Sequence, residues 1–262
     1  MKTSSSIPRL ASIGAVMNRT ILLFVAISTI SQQTAFSQNP SPFSIRAYFA
    51  PQVQYRTLTA DALEQAVISE RNAQEQASIG FSTGATGEYR LNEHWSVLAG
   101  LAYSLRGFQS RPRNVTFANS PQTAPEQPLP EQSFMAYSFN AIDIPLGIQY
   151  RFAEMRIAET QVWTAFAALE AAPSIVLSKT KAHWVRTENL WAVEHSLVRN
   201  RGFDRFGLLV KASAGVNYAF SEHIAARVSG HFQHSLSAVQ TQLSAREYLY
   251  AAGLELGVEW RP

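Results

Sequence analysis

Residues 134–152 read FMAYSFNAIDIPLGIQYRF, and this stretch decides the fold class. From residue 142 onward, alternate positions are apolar: Ile142, Ile144, Leu146, Ile148, Tyr150 and Phe152. Between them stand Asp143, Pro145, Gly147, Gln149 and Arg151. Successive side chains of a β-strand point to opposite faces of the sheet, so a period of two predicts a strand with one apolar face.

The same alternation recurs along the chain and predicts eight strands. Their approximate bounds are 44–56, 78–91, 95–107, 134–152, 162–178, 206–220, 224–236 and 248–260. No Asp, Glu, Lys or Arg occupies the apolar face of any of them, and His234 is its only titratable side chain. We therefore expect one continuous surface that excludes charge.

The connections between the predicted strands alternate in length. Asn92-Glu93-His94 and Ser221-Glu222-His223 are short turns, and 153–161 is a medium link. The long connections are 57–77, 108–133, 179–205 and 237–247, with a short helix expected within 60–76. Short turns on one rim, long loops on the other and an even strand number are typical of outer-membrane barrels. The pattern predicts an all-β fold: an eight-stranded antiparallel transmembrane barrel, an up-and-down meander with periplasmic turns and extracellular loops.

Aromatic residues support a membrane position. A girdle is predicted at the short-turn ends of the strands: Tyr89, Trp95, Tyr150, Phe152, Trp163, Tyr218, Phe220 and Trp260. A looser set lies nearer the long loops: Tyr55, Phe81, Tyr103, Phe206, Phe232 and Tyr250. Amphipathic rings gather at the two interfaces of a bilayer. The alternative is a secreted, lipocalin-like carrier whose apolar face surrounds a ligand, and the two girdles favour the membrane.

The first 37 residues have the pattern of a secretory signal peptide. Arg19 precedes the uncharged run ILLFVAISTI at 21–30, and Ala35-Phe36-Ser37 forms a cleavage site. We expect a signal peptide over 1–37, with Met17 as an alternative start, and a barrel domain over 38–262. The protein is therefore expected in the outer membrane of a Gram-negative cell.

Charge and composition exclude other classes. The 262-residue chain has no cysteine, which rules out disulfides and thiol chemistry. Its formal net charge of +3 comes from the leader, because Lys2, Arg9 and Arg19 precede residue 38 and no acidic residue does. The remaining chain has equal numbers of basic and acidic residues, so no nucleic-acid partner is expected.

Three features together resemble the PorT-like outer-membrane β-barrel family of Gram-negative bacteria. They are the leader ending at Ala35-Phe36-Ser37-Gln38, the strand Ile142-Asp143-Ile144-Pro145-Leu146-Gly147, and the repeated frames Tyr89-x-Leu91-Asn92-Glu93-His94 and Tyr218-x-Phe220-Ser221-Glu222-His223. The resemblance covers 38–262 and implies place and fold more than activity, because family members include components tied to type IX secretion. The sequence departs from the family pattern at two places. Ala171-Ala172-Pro173-Ser174 stands where a Gly-rich stretch is common, and in Trp260-Arg261-Pro262 the aromatic residue is third from last, whereas such barrels usually have a terminal aromatic residue.

No motif for catalysis or for a cofactor stands in the mature chain. Phosphate loops, GxSxG and HExxH are absent from the sequence. His231 and His234 lie three apart on a strand and face opposite sides, so they cannot chelate one metal together. We expect no catalytic residue, no cofactor, no metal site and no enzyme.

One alternative is a lipid-modifying outer-membrane enzyme. Its trio would be His234 as base, Ser235 or Ser237 as nucleophile and Glu247 as orienting carboxylate. Both serines occupy the strand phase opposite to His234, which argues against this trio.

The polar face of the predicted strands carries charges of both signs. We expect a lumen plug from Arg46, Glu88, Arg90, Arg106, Asp143, Arg151, Glu170, Lys211, Arg227, Glu255 and Glu259. Eight strands enclose a space that side chains can fill, and unpaired charges there would be costly, so these residues are expected to pair and block the lumen. No open pore is expected.

The long loops are the predicted contact surface. Trp184, Arg186 and Trp191 combine aromatic and cationic groups, the types enriched at binding hot spots. The predicted function is a non-enzymatic barrel with a structural, partner-binding or secretion-linked role. The expected partners are outer-membrane lipid and an extracellular or periplasmic protein, with the barrel itself a monomer.

Overall fold

The computed structural model describes residues 41–60, 65–115, 131–156, 162–187, 190–197, 205–238 and 245–262. Within these residues there are twelve strands and one helix. The strands are β1 (Phe43–Ala60), β2 (Glu75–Gln76), β3 (Ser78–Arg90), β4 (Trp95–Ser110), β5 (Arg113–Asn114), β6 (Gln132–Asp143), β7 (Leu146–Arg156), β8 (Val162–Thr187), β9 (Leu190–Leu197), β10 (Phe206–Ala219), β11 (Ile224–Ser235) and β12 (Ala245–Trp260). The helix is α1 (Gln65–Ala73).

All strand pairings are antiparallel and join the long strands into one circuit. β1 pairs with β3, β3 with β4, β4 with both β6 and β7, both of these with β8, β8 with β10, β10 with β11, and β11 with β12. The circuit closes where β12 pairs with β1 from Ile45↔Trp260 to Ala60↔Ala245. The predicted all-β antiparallel meander is confirmed.

The strand predicted over 134–152 is two strands, β6 and β7. Pro145 separates them because it has no N–H to donate to a sheet ladder. The neighbours still bond to the gap: Gly100 N donates to Pro145 O at 2.9 Å, and Ile144 N donates to Pro173 O at 2.9 Å. β6 and β7 thus lie end to end, and together they fill one strand position between β4 and β8.

The long-loop side contains more regular structure than the sequence predicts. β8 continues to Thr187 and pairs with β9, inside the segment predicted as a loop over 179–205. The register between β6 and β8 shifts at Leu177, which lies between paired Val176 and Ser178. This extra residue reverses the inside–outside alternation of β8 beyond it. The alternation of apolar residues in the sequence is therefore interrupted at Leu177, although the strand continues.

The helix expected within 60–76 is α1, and it packs on the inward face of β1. Ile68 and Leu58 form a buried apolar contact. The Asn72 amide bonds both backbone groups of Leu58, donating to the carbonyl at 3.3 Å and accepting from the amide at 3.2 Å. These bonds attach the first long connection to the sheet at its long-loop end.

The two faces of the closed sheet have opposite character. On β12, Leu254, Leu256 and Val258 point outward and are 58%, 50% and 47% exposed. Glu255 and Glu259 point inward and are 1% and 3% exposed. Among the described residues no helix is long and apolar enough to cross a membrane.

Candidate functional site: the charged lumen and the outer aromatic cluster

A group of five charged side chains lies at the centre of the lumen. This central cluster consists of Arg46 on β1, Glu170 on β8, Lys211 on β10, Arg227 on β11 and Glu255 on β12. Lys211 Nζ lies 2.8 Å from Glu255 Oε2 and 3.1 Å from Glu170 Oε1. The Nε atoms of Arg46 and Arg227 lie 3.7 and 3.9 Å from Glu255 Oε1. Five strands are thus tied together through two carboxylates.

Aromatic and amide groups hold the Arg227 guanidinium in place. Its Cζ lies 3.4 Å from the centre of the Phe166 ring, and its Nη1 donates to Gln149 Oε1 at 2.6 Å. Lys211 Nζ lies 5.2 Å from the centre of the Tyr48 ring. Cations over aromatic faces are attracted by the ring quadrupole, an effect that grows when water is excluded.

A second group of polar contacts lies toward the short turns. Arg151 bonds Glu88 and Ser96, and Gln149 Nε2 donates to Glu88 Oε1 at 3.1 Å. Glu259 accepts from Asn217 Nδ2 at 2.7 Å and from Arg261 Nε at 2.8 Å. Arg151 and Glu259 thus have different partners, Glu88 and Arg261.

Toward the long loops the lumen changes from charged to apolar. Arg106 pairs with Asp143, and its Nη1 donates to Ser174 Oγ at 3.1 Å. Beyond this pair lies an apolar layer: Phe108, Phe139 and Leu249, with Tyr137 and Val176 packed against them.

The apolar layer is covered by a further ion-pair group. Arg56 lies with its Cζ 3.9 Å from the Phe108 ring centre, bonds Glu247 Oε1 at 2.9 Å and pairs with Glu75. The contacts of Arg56 thus join β1, β2, β4 and β12 at this end.

Most residues predicted for the lumen are buried and in contact with a group of opposite charge. Arg90 is the exception, since it is only partly buried and forms no ion pair with a carboxylate among the described residues. Arg56 stands on the polar phase of the first predicted strand together with Arg46, as the sequence indicates, whereas Glu75 and Glu247 were not predicted as its partners. Arg56 and Glu247 occupy inward positions of their strands, so the alternation of the sequence was sufficient to predict that both side chains face the lumen.

Inward aromatic residues were also missed. Tyr48, Phe108, Phe139 and Phe166 are buried on the lumen side. Tyr48, Phe139 and Phe166 occupy the strand phase assigned to polar residues, so their inward direction could be predicted from position. Phe108 lies one residue beyond the predicted strand 95–107, in a segment predicted as a loop. The described part of the lumen thus carries charges of both signs and aromatic rings at several levels.

The predicted girdle residues lie on the outward face near the short turns. Trp95 packs on Tyr150 with ring centres 4.9 Å apart, and Trp163 packs on Tyr218 at 4.7 Å. Tyr218 also meets Phe220 edge to face at 4.7 Å. Of the others, Tyr89 and Phe152 are exposed, and Trp260 pairs in register with Ile45 and Ile224.

The two repeated turn frames form the same local structure. Asn92 Oδ1 accepts hydrogen bonds from His94 N at 2.9 Å and Trp95 N at 2.8 Å. In the other turn Ser221 Oγ accepts from His223 N at 3.3 Å and Ile224 N at 3.1 Å. Each capping side chain thus occupies turn donors that the sheet leaves unpaired.

The turn histidines reach the next strand. His94 Nδ1 lies 3.2 Å from Arg151 O, and His223 Nδ1 lies 2.9 Å from Arg261 O. A carbonyl oxygen can only accept, so both contacts assign the ring proton to Nδ1. The motif is structural in this geometry.

Above the barrel, three rings form what we name the outer aromatic cluster: Phe134 on β6, Trp184 on β8 and Trp191 on β9. Phe134 stacks on Trp184 with ring centres 5.7 Å apart, and Trp191 meets Phe134 edge to face at 5.3 Å. Arg186 is partnered, with its Nε 3.9 Å from Glu131. Trp191 is 42% exposed.

The structure does not bring the candidate lipid-modifying trio together. His234 stacks on Tyr248 with ring centres 6.2 Å apart, whereas Ser235 is buried and donates to the Ser237 carbonyl at 2.5 Å. Glu247 is bound to Arg56. No group of three metal-ligating side chains occurs among the described residues.

A closed antiparallel sheet with an apolar exterior and a charged interior defines a transmembrane β-barrel. The chain belongs to the family described as outer membrane protein beta-barrel domain, whose family model matches residues 36–240. The protein is therefore an outer-membrane β-barrel. No curated protein matches the chain.

Solved structures of other barrels are similar to this chain. Neisserial surface protein A is 13% identical, with a TM-score of 0.39, over 86% of this chain and all of its own. OprG from Pseudomonas aeruginosa is 10% identical, with a TM-score of 0.40, over 86% and 98% of the two chains. The outer membrane protease OmpT from Escherichia coli is 8% identical, with a TM-score of 0.38, over 87% and 99%.

Proposed function

We propose that this protein is a non-enzymatic outer-membrane barrel with a closed lumen, and that its role is to hold an extracellular sheet in place for a protein partner. The outer aromatic cluster carries this proposal. It stands on the part of β6, β8 and β9 that continues beyond the loop-side rings of the barrel wall. Exposed Trp residues on a rigid support are typical of binding hot spots.

The proposed barrel wall has eight strand positions. β6 and β7 together fill one position, because both pair with β4 on one side and with β8 on the other. β2, β5 and β9 are additions on the long-loop side. A barrel with eight strand positions leaves an interior that side chains can fill.

The proposed plug follows from the contents of that interior. The central cluster, the Arg106–Asp143 pair and the apolar layer of Phe108 and Phe139 lie at successive levels. A water column would have to displace ion pairs at one level and stacked rings at another. We propose that no level leaves a continuous path for ions.

Planar-bilayer recording tests the closed lumen. The purified protein should show no stable conductance steps, because the charged layers are paired and the apolar layer is packed. The matched variant is Phe108→Ala with Phe139→Ala, which opens the apolar layer but keeps every ion pair, and it should give only small currents. Reproducible porin-like steps from the unchanged protein would refute the plug.

Site-specific photocrosslinking in intact cells tests the partner role. A photoreactive phenylalanine analogue replaces Trp191 in one variant and Leu254, on the outward face of β12, in the control. A defined protein adduct from position 191 and none from position 254 is the expected result. Equal patterns from the two positions, or no protein adduct from 191, would contradict a partner at the outer aromatic cluster.

Three further features belong to the same proposal. The leader over 1–37 lies outside the described residues, and we propose that it exports the chain and is removed after Ser37. The barrel acts as a monomer in the outer-membrane lipid. Membership of the PorT-like subfamily and a link to secretion stay predictions from the sequence resemblance.

A further inference from the structure

The central cluster contains more positive than negative charge. Its cations are Arg46, Lys211 and Arg227, and its carboxylates are Glu170 and Glu255. Lys211 takes the close contacts to both carboxylates. Arg46 and Arg227 share one oxygen of Glu255, and both stand farther from it than a hydrogen bond allows.

Both arginines keep unused donors although they are almost fully buried. Arg46 is 2% exposed, and none of its three side-chain nitrogens has a hydrogen-bond partner among the described residues. Arg227 is 1% exposed, and its Nε and Nη2 are likewise unpartnered within the described chain. A buried donor without an acceptor is expensive, and more so when it is charged.

Nearby carboxylates cannot supply the missing negative charge. Glu88 is held by Arg151 and Gln149, and Glu259 is held by Arg261 and Asn217. Each is therefore already neutralised by a cation of its own.

The sequence makes room for this arrangement. A Cβ at Gly257 would lie 3.2 Å from Arg46 Cδ, so glycine lets the Arg46 side chain lie along β12. Ser229 pairs in register with Glu255, and its buried hydroxyl has no partner among the described residues. Gly257 thus leaves room for the Arg46 side chain, and Ser229 offers an unused hydroxyl on the strand beside Glu255.

We propose that the central cluster binds a small inorganic monovalent anion, of the class of chloride, between Arg46 and Arg227. The anion accepts the unused N–H donors of both guanidinium groups and the Ser229 hydroxyl, and it cancels the surplus charge. Arg90, at the short-turn end, adds a positive charge on that side of the cluster. The site is separate from the outer aromatic cluster and stands whether or not a partner binds there.

Thermal unfolding of the full barrel tests this site. The protein is refolded in detergent with sodium gluconate, and chloride then replaces gluconate at constant ionic strength. Binding to the folded state alone raises Tm with chloride concentration as RT ln(1 + [L]/Kd) predicts. Because ionic strength is fixed, screening cannot produce this saturating rise.

Matched variants locate the effect. Arg46→Gln should remove the chloride dependence. Arg56→Gln changes an arginine that has its own carboxylates, Glu75 and Glu247, and should lower Tm while keeping the dependence. Loss of the dependence in Arg56→Gln as well would overturn the assignment to the central cluster.

Crystals grown in bromide give a direct readout that needs no variant. An anomalous peak within hydrogen-bond distance of Arg46 and Arg227 is the expected result. Ordered water alone at that place, or a wild-type Tm that is the same in chloride and gluconate, would overturn the proposal. Both measurements use the wild-type barrel, so they decide the matter even if Arg46→Gln does not fold.

Discussion

The outward and inward faces of β12 are made from alternating residues of one short segment, yet they follow opposite rules. Outward, Leu254, Leu256 and Val258 are apolar and exposed, whereas inward Glu255 and Glu259 are charged and buried. A water-soluble protein would reverse this order. The difference shows that the outer face of β12 is matched to hydrocarbon, and that its inner face is built from buried charged groups.

The inward face should be the more sensitive of the two. Glu255→Ala leaves Arg46, Lys211 and Arg227 without their shared carboxylate, and breaking a buried ion pair by removing one partner costs about 3–5 kcal/mol. Urea unfolding of the barrel in lipid vesicles measures this loss. The control is Glu194→Ala on the exposed part of β9, where about 0.5 kcal/mol or less is expected. Equal effects of the two changes would mean that the cluster does not hold the barrel together.

The outward face should respond to charge according to depth. Leu254 lies between Tyr250 and Trp260, the aromatic residues toward the two ends of β12, so Leu254→Arg should cost about 2–4 kcal/mol. Val258→Arg is the matched control on the same face, two residues from Trp260, and should cost about 1 kcal/mol or less. The same unfolding assay compares them. A cost that does not depend on depth would argue against a bilayer around β12.

Gln149→Arg, on the inward face of β7, would be a poor control for the outward face. Gln149 is buried and bonds both Arg227 and Glu88, so arginine there would place two cations side by side. Its effect would combine a lost hydrogen bond with charge repulsion.

The short turns should show the smallest effects and allow a comparison of twin motifs. Asn92→Ala removes two hydrogen bonds to the backbone of His94 and Trp95 and should cost about 1 kcal/mol. Ser221→Ala removes the two longer bonds of the other turn and should cost less. The difference in urea midpoint between the two variants checks this order. A larger loss from Ser221→Ala would contradict the ranking by bond length.

Sequence periodicity was sufficient to predict which side chains of a strand point inward and which point outward, because a strand offers only these two directions. It could not assign partners across the lumen. Strand tilt and stagger decide which levels of distant strands meet, and so Arg151 meets Glu88 instead of Glu259. Local sequence offers no rule for this stagger.

The long-loop side was under-predicted for a different physical reason. The extra residue at Leu177 reverses the inside–outside alternation of β8. A prediction based on that alternation therefore ends the strand near this point. Pro145 likewise divides β6 from β7 without ending the wall, since β4 and β8 continue past the gap. The aromatic and cationic content of 179–205 did point to Trp184 and Trp191, but not to the β8–β9 hairpin that holds them.

Spin-label accessibility along β12 tests the central claim most directly. The chain has no cysteine, so single cysteines can be placed one at a time at outward Leu254, Leu256 and Val258 and at inward Leu249 and Ala251, positions that already carry a side chain. In lipid vesicles, labels at 254, 256 and 258 should be accessible to oxygen and not to a water-soluble nickel complex, because they face hydrocarbon. Labels at 249 and 251 should be shielded from oxygen, because these positions face the lumen. The reverse alternation, or high nickel access at the inward positions, would contradict a lipid-facing exterior around a closed lumen.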